Sequence, residues 1–465
     1  MSAIPFQRSH GGEDVDPPTV ISLTSVPRAS RRAHHVGFWL TAAAFLVNMG
    51  FSAVPTPLYV LYQGRDHFSN LMVTIVYAVY AVGVVGSLFL AGHLSDWMGR
   101  RRIFVPALAA NVVSALIFIF EPSLSGLIIA RIISGISVGL TTATATSYLA
   151  ELHATARPGA STDRAEIVAT ASNLGGIGFG PLVAGLLAQF APAPLRLPFI
   201  VFGVLLVVLV AAVGFSPETV RRPDVQPAYR PQRIVVPAHA RAIFFAATFA
   251  GMASFAVYGV FNSLVPSFLA GTLHEKSHAV AGAVAFAAFA AGALAQIAQR
   301  GVSNRNILRR SVPTVIIGLA LLAAAMWVGN LGIFVIGGVI TGTGAGLVFK
   351  GALVAAASTA PEGARAEVLA GFFLGAYVGL SIPVVGLGIA TMYAPARDVM
   401  LVFVVLAAAA IAASVRPLVR AGGHVSSTEQ IGQVSDIHEV GSQLDHCRTS
   451  DSTSNSMSPS KRRMQ

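Results

Sequence analysis

Apolar residues in this chain neither alternate nor recur at the spacing of an amphipathic helix. They come in long runs, each close to the roughly 20 residues that a helix needs to cross a bilayer. A window of about 19 residues finds twelve such runs, at 38–61, 71–93, 103–120, 125–149, 166–189, 197–215, 243–270, 279–298, 313–328, 333–357, 367–391 and 399–415. Only Gly329 to Gly332 separate the ninth from the tenth. The pattern predicts an all-α membrane protein with twelve transmembrane helices.

The polar positions divide the chain further. Residues 1–37 form a polar tail with no apolar core before a small-residue cleavage site, so no cleavable signal peptide is expected. The longest polar interruption, 216–241, holds five prolines and five arginines between the sixth and seventh runs. It leaves one six-helix bundle at 38–215 and another at 242–417. The remaining segment, 418–465, is rich in serine and poor in large apolar residues, and is expected to stay disordered like the first tail.

The two bundles read as weak copies. "RAE" at Arg164 to Glu166 recurs at Arg365 to Glu367, each time ahead of a glycine-rich apolar run. Gly135 and Gly139 stand 207 residues before Gly342 and Gly346, an offset that Pro106 and Pro313 share. Transporters built from repeated halves carry such symmetry, with the substrate site between the halves near the midplane. The expected fold is therefore two pseudo-symmetric six-helix bundles.

Composition agrees: 54% hydrophobic and 11% charged residues exclude an ordinary soluble chain. A net charge of +11 would be compatible with nucleic acid. Sorting the loops removes that reading. Alternate connections hold fifteen lysines and arginines on one side, against Arg65, Arg196, Lys276 and Arg397 on the other. The bias is topological, excludes nucleic acid as a partner and puts both termini in the cytoplasm. The single cysteine, Cys447, allows no internal disulfide, and the histidines show no metal spacing.

"GHLSDWMGRRR" lies in the loop between the second and third helices. Its Gly92, Leu94, Asp96, Gly99, Arg100 and Arg101 fall in the register of the signature loop of the major facilitator superfamily, which the chain resembles over 38–416. Helix 4 carries "RIISGISVGL", similar to the family's pattern in Arg131, Gly135 and Gly139, and ends in Glu151, which resembles an acidic partner for the loop arginines. Helix 5 carries "NLGGIGFGPLVAG", whose Gly176, Gly180, Pro181 and Gly185 look like the motif of proton-coupled antiporters, although Ala184 stands where a second glycine usually closes it. The first helix, broken by Pro55 and Pro57, and the second resemble a bacterial drug-transporter-like branch. The resemblance implies alternating access, with the loop cluster latching the halves on the cytoplasmic side and the chain acting as a monomer in the inner membrane.

The cargo is read from charges inside the helices. Asp66, Glu121, Glu166, Glu275, Glu367 and Asp398 all fall near helix ends, whereas Arg131 and Lys350 fall within apolar runs. An arginine at such depth costs roughly 2.5 to 3.5 kcal/mol on insertion scales and is a functional candidate by default. Two cations without deep acids favour an anionic or polar neutral small molecule, and the expected site gathers Asn48, Arg131, Tyr258, Asn262 and Lys350. No glycine loop ending in lysine and serine or threonine exists for ATP. No cofactor is expected, and the proton gradient supplies the energy. Efflux by proton antiport is the first expectation and uptake of an organic anion or sugar-like solute by proton symport the second. A receptor without transport, or an intramembrane enzyme, finds no supporting feature.

Overall fold

A computed structural model describes residues 28–220, 229, 236–361 and 364–421. The two expected tails lie outside these residues, apart from their inner ends, as does most of the expected linker. Among these residues twelve helices are long and apolar enough to cross a membrane: α1 Ser30–Asp66, α2 Asn70–Ala91, α3 Arg100–Phe120, α4 Leu124–Ala156, α5 Asp163–Phe190, α6 Leu197–Gly214, α7 Ala238–Ser263, α8 His278–Ala298, α9 Asn304–Val328, α10 Leu331–Ala357, α11 Glu367–Ala390 and α12 Ala396–Ala421. Among the described residues there is no strand. Bilayer hydrocarbon leaves helices this choice, because each backbone polar group must be satisfied within its own segment.

Several helices outrun their apolar runs, since hydropathy marks the hydrocarbon and the helix continues into the headgroups. The helical backbone of α1 begins at Arg28, ten residues before the predicted start. Its regular path ends at Ala53, passes through a 3₁₀ turn at Thr56–Leu58 and resumes at Tyr59–Asp66. Pro55 and Pro57 have no N–H to give, so the turn falls where the ladder fails. The narrow gap between α9 and α10 is real. Gly329 takes the left-handed conformation at φ 71°, and the Asn330 side chain accepts the N–H of Ile333 at 3.0 Å to start the next helix.

The halves, α1–α6 and α7–α12, meet along two helix pairs, α2 with α11 and α5 with α8. Adding six to each helix number converts one pair into the other, so the interface is one arrangement used twice. The repeated glycines share a task as well. A Cβ on Gly135 would strike the carbonyl oxygen of Tyr80, and one on Gly139 the Ser87 hydroxyl, both on α2. On α10, Gly342 meets the Ala288 carbonyl and Gly346 the backbone of Gly292, both on α8. Close approach at small residues replaces the hydrophobic drive that lipid removes between helices.

The crossing of α5 over α1 is as tight, with Gly180 pressed on the carbonyl of Gly50. Gly180→Ala is expected to destabilise by about 1–3 kcal/mol, the cost of overpacking. Gly86 on α2 has open space around it, so Gly86→Ala is expected to be neutral or to stabilise by up to about 1 kcal/mol through helix propensity. Thermal unfolding of the two purified variants in detergent should rank them on opposite sides of the wild type.

Candidate functional site

Between the halves lies a cavity of about 580 Å³. Its mouth is lined by Asp96, Glu166, Arg300 and Arg365, and its floor by Ser52, Tyr77, Arg131 and Asn262. It therefore opens toward the arginine-rich loops. Past the floor the halves are joined by uncharged groups. The Thr56 hydroxyl donates to the Asn262 carbonyl oxygen at 3.0 Å, and the Ser267 hydroxyl donates to Gln63 Oε1 at 3.2 Å. Gln63 Nε2 donates to Asn70 Oδ1 at 2.8 Å, and Asn70 Nδ2 reaches the Thr391 hydroxyl at 3.4 Å.

Arg131 sits seven residues into α4, about 10 Å from that helix end at 1.5 Å per residue. It is 2% exposed. Its guanidinium donates to the Ser52 carbonyl at 2.5 Å and the Val76 carbonyl at 3.4 Å, and lies 4.7 Å from the ring centre of Tyr80 and 5.4 Å from that of Tyr77. The first contact follows from the prolines. Ser52 is in the last turn before the break in α1, where carbonyls lose their helical donors. The arginine caps that end and joins α1, α2 and α4. Carbonyls and ring faces steady a guanidinium without neutralising it, so the floor keeps a positive charge.

Lys350 occupies the mouth end of the same cavity, seven residues before the end of α10, where Nζ donates to the Gln296 carbonyl at 2.6 Å. Between the two cations runs an aromatic wall. Tyr258 is stacked on Phe289 at 4.6 Å and donates its hydroxyl to the Gly342 carbonyl at 2.8 Å, while Phe255 is stacked on Phe349 at 4.9 Å. Asn262 lines the floor while its oxygens accept from Thr56. The cavity thus gathers Arg131, Tyr258, Asn262 and Lys350 from the expected set.

Asn48 is not among the lining residues. It is fully buried inside the first half, giving Nδ2 to Thr141 Oγ1 at 3.1 Å and accepting at Oδ1 from Asn111 at 2.8 Å and Ser137 at 3.2 Å. It lies on the α1 face turned to α3 and α4, and its amide ties those three helices together. Ser52, one turn further along, is the polar α1 residue at the cavity floor.

At the mouth, Arg100 is 9% exposed and ionically paired with Asp96 and with Glu151, the latter at 2.9 Å, and it also donates to the Ser95 hydroxyl at 2.9 Å. Glu218, in the segment after α6, accepts the Arg100 backbone N–H at 2.8 Å. That carboxylate fills the place a Cβ on Gly99 would need, and Gly99 has φ 115°. Arg101 donates to the carbonyls of Gly214 and Ser216 at 3.2 and 2.9 Å. Gly92 follows α2 and lines the cavity beside Asp96. With the mouth open, the cluster joins the α2–α3 loop to the ends of α4 and α6 and to the start of the linker, and among the described residues its hydrogen bonds and ion pairs reach none in the second half.

The α5 glycines serve helix crossings. Gly176 faces the Leu46 carbonyl on α1, Gly185 faces the His278 carbonyl on α8, and the Pro181 carbonyl lies against Gly282. Together with Gly180 they wedge α5 between α1 and α8. Sequence reading missed Glu218, which sits in "SPET" directly after an apolar run, and gave Glu166 no role because it stands at a helix end. Among the described residues no three His, Cys, Asp or Glu gather where a metal could bind.

The profile described as Major Facilitator Superfamily matches residues 40–383. An uncharacterized MFS-type transporter of Methanocaldococcus jannaschii is 28% identical over 167 residues, covering 36% of this chain and 41% of that one. An arabinose-proton symporter of Bacillus subtilis is 33% identical over 125 residues, covering 26% and 27%. The matched stretches therefore span less than half of either relative. A solved structure of a bacterial homolog to the human lysosomal transporter Spinster, in an inward-facing and unoccupied conformation, superposes with a TM-score of 0.63 at 14% identity, covering 83% of this chain and 98% of that one. The profile runs from α1 through most of α11, the fold agrees over 83% of the chain, and this chain belongs to the Major Facilitator Superfamily.

Proposed function

We propose that this transporter carries a small organic anion with an apolar or aromatic body, taking it up together with protons by alternating access. One observation carries the reading: Arg131 at the floor and Lys350 at the mouth end of the cavity are both positive, with aromatic rings between them, while the carboxylates that line the cavity, Asp96 and Glu166, stand at the mouth. A cleft of one sign with low-dielectric walls concentrates the opposite sign. We read the arginine-rich face as cytoplasmic by the positive-inside bias, the membrane as a bacterial inner membrane, and the chain as a monomer holding one complete site. The open mouth is then the inward-facing state. Rocking of the halves along α2 with α11 and α5 with α8 exchanges the mouth for the neutral seal behind the floor.

The likeness of about a quarter of this chain to the arabinose-proton symporter of Bacillus subtilis favours symport. Efflux by proton antiport stays as the second reading, favoured by the α5 signature. Its weight falls because the glycines that carry that signature are used in packing. The cluster around Arg100 acts here as the rigid corner that lets the first half move as one body.

Benzenesulfonate and phenyltrimethylammonium, matched in size and opposite in fixed charge, test the cargo. The sulfonate is expected to raise the melting temperature of the purified protein and the ammonium to leave it unchanged. Arg131→Gln should weaken sulfonate binding by about tenfold or more, since a hydrogen bond to a charged group is worth about 1.5–3 kcal/mol. Arg131→Lys should keep the preference for the anion. Binding of the ammonium in place of the sulfonate would sink the reading.

The corner has its own test. Arg100→Ala is expected to cost about 1–3 kcal/mol by stranding its acids, limited by the 52% and 34% exposure of the Asp96 and Glu151 side chains. Exposed Arg102→Ala should stay within about 0.5 kcal/mol in the same unfolding assay.

A further inference from the structure

The cavity mouth has one rim of acids and one of bases. Glu166 on α5 and Asp96 in the α2–α3 loop come from the first half, while Lys350 on α10, Arg300 after α8 and Arg365 before α11 come from the second. Most of these groups are already engaged. Asp96 is paired with Arg100, and Arg300 reaches the Asp163 backbone carbonyl across the halves at 3.5 Å. Among the described residues Glu166 has only the Thr162 hydroxyl as a partner, at 3.5 Å, and it is exposed and lines the cavity. Among the described residues Lys350 donates to one group, the Gln296 carbonyl, and it shares the mouth with Glu166 and Arg300. Asp163 and Arg164 precede Glu166 on its own helix, and Arg365 lines the mouth just before α11.

We infer that Lys350 is shared between the cargo and Glu166, so that Glu166 carries the coupled proton and transport of a monovalent anion is electroneutral. The inference rests on the anionic-cargo reading. When the mouth closes, α5 and α10 bring Glu166 and Lys350 together, shut off from the water beyond the mouth and reachable only through the cavity they line. Two charges may be buried only if they pair, and a lone one is expensive. An empty carrier closes with ionised Glu166 on the Lys350 ammonium, and that pair is neutral. In a loaded carrier the anion holds Lys350, so Glu166 closes over it only with a proton on its carboxyl.

The balance is simple. With the cavity open to the outer side, a hydronium ion that follows the anion down the cavity gives one proton to a Glu166 oxygen and leaves as water, while the anion displaces the carboxylate from Lys350. On the inner side, the O–H bond breaks, the proton goes to water, the anion leaves, and the carboxylate returns to the ammonium. One anion and one proton cross, and the return leg moves no net charge. The arrangement requires no carboxylate deep in the membrane.

Two measurements on the full chain decide this. In the first, Cys447 is replaced, one spin label is placed in each half at the basic face, and mouth opening is followed against pH with no cargo present. The wild type should close more as pH rises and Glu166 ionises. Glu166→Gln should lose that pH dependence, with closure weakened by up to about fivefold, the reach of one partly exposed pair. The exchange E166K/K350E should restore both. Glu166→Gln opening and closing with the wild-type pH profile would overturn the inference whatever the cargo is.

In the second, proteoliposomes take up benzenesulfonate, which cannot cross as a neutral acid. Uptake should follow the pH gradient, ignore membrane potential and bring in one proton per anion; Glu166→Gln should exchange sulfonate without moving protons. Sulfonate uptake that moves protons equally well in Glu166→Gln overturns the inference alone. Sulfonate that neither binds nor is taken up overturns the cargo reading, and the spin-label measurement still decides the role of Glu166.

Discussion

A guanidinium cannot be left bare in hydrocarbon, and the first half of this transporter is arranged around how Arg131 avoids that. Its hydrogen bond goes to the carbonyl of Ser52, which the break at Pro55 and Pro57 has freed from helical duty. Each defect answers the other. The broken helix has carbonyls without donors, the arginine has donors without acceptors, and joining them fixes α4 against α1 and α2. No carboxylate takes part, so the bond satisfies geometry and leaves the charge in place. The cavity floor is positive for that reason.

The same economy recurs at the other polar positions inside the membrane. Asn48, Asn111, Ser137 and Thr141 satisfy one another in the interior of the first half. Thr56, Asn262, Gln63, Ser267, Asn70 and Thr391 form the seal behind the floor. Both groups are uncharged. Neutral hydrogen bonds between membrane helices average well under 1 kcal/mol in measured cases, and such a seal can open without separating charges. Ion pairs are kept at the two membrane faces, Arg100 with Asp96 and Glu151 at the basic one and Arg65 with Asp66 and Arg397 with Asp398 at the other, where water can take over each partner.

Much of this was legible in the sequence, for physical reasons. Hydrocarbon thickness forces long apolar runs, so twelve helices could be counted, and glycines at a 207-residue offset marked crossings that do recur at the equivalent helix pair. The depth of Arg131 and Lys350 could be read because hydropathy reports position along the membrane normal. Rotation about each helix axis was much harder to read. Asn48 stands at the depth of the cavity yet faces the bundle interior, because α1 turns it toward Asn111, Ser137 and Thr141, while Ser52 reaches the cavity floor. Glu166 illustrates the opposite error: its place at a helix end looked like solvent, although that helix end forms the rim of the cavity.

The loop signature also takes a narrower meaning from its surroundings. Its arginine is closed in by Asp96, Glu151, Ser95 and the chain leaving α6, all from one half. An aspartate already committed to Arg100 can reach the second half only by giving up that pair, or by sharing it. Asp96 keeps half of its side chain exposed, at 52%, whereas Arg100 is 9% exposed. The arginine is therefore the fixed member and the acid the movable one. A partner arriving from α11 would meet a carboxylate already oriented and partly hydrated. Bridging the halves then adds a contact to the corner without dismantling it, and the first half keeps its shape through both positions of the carrier.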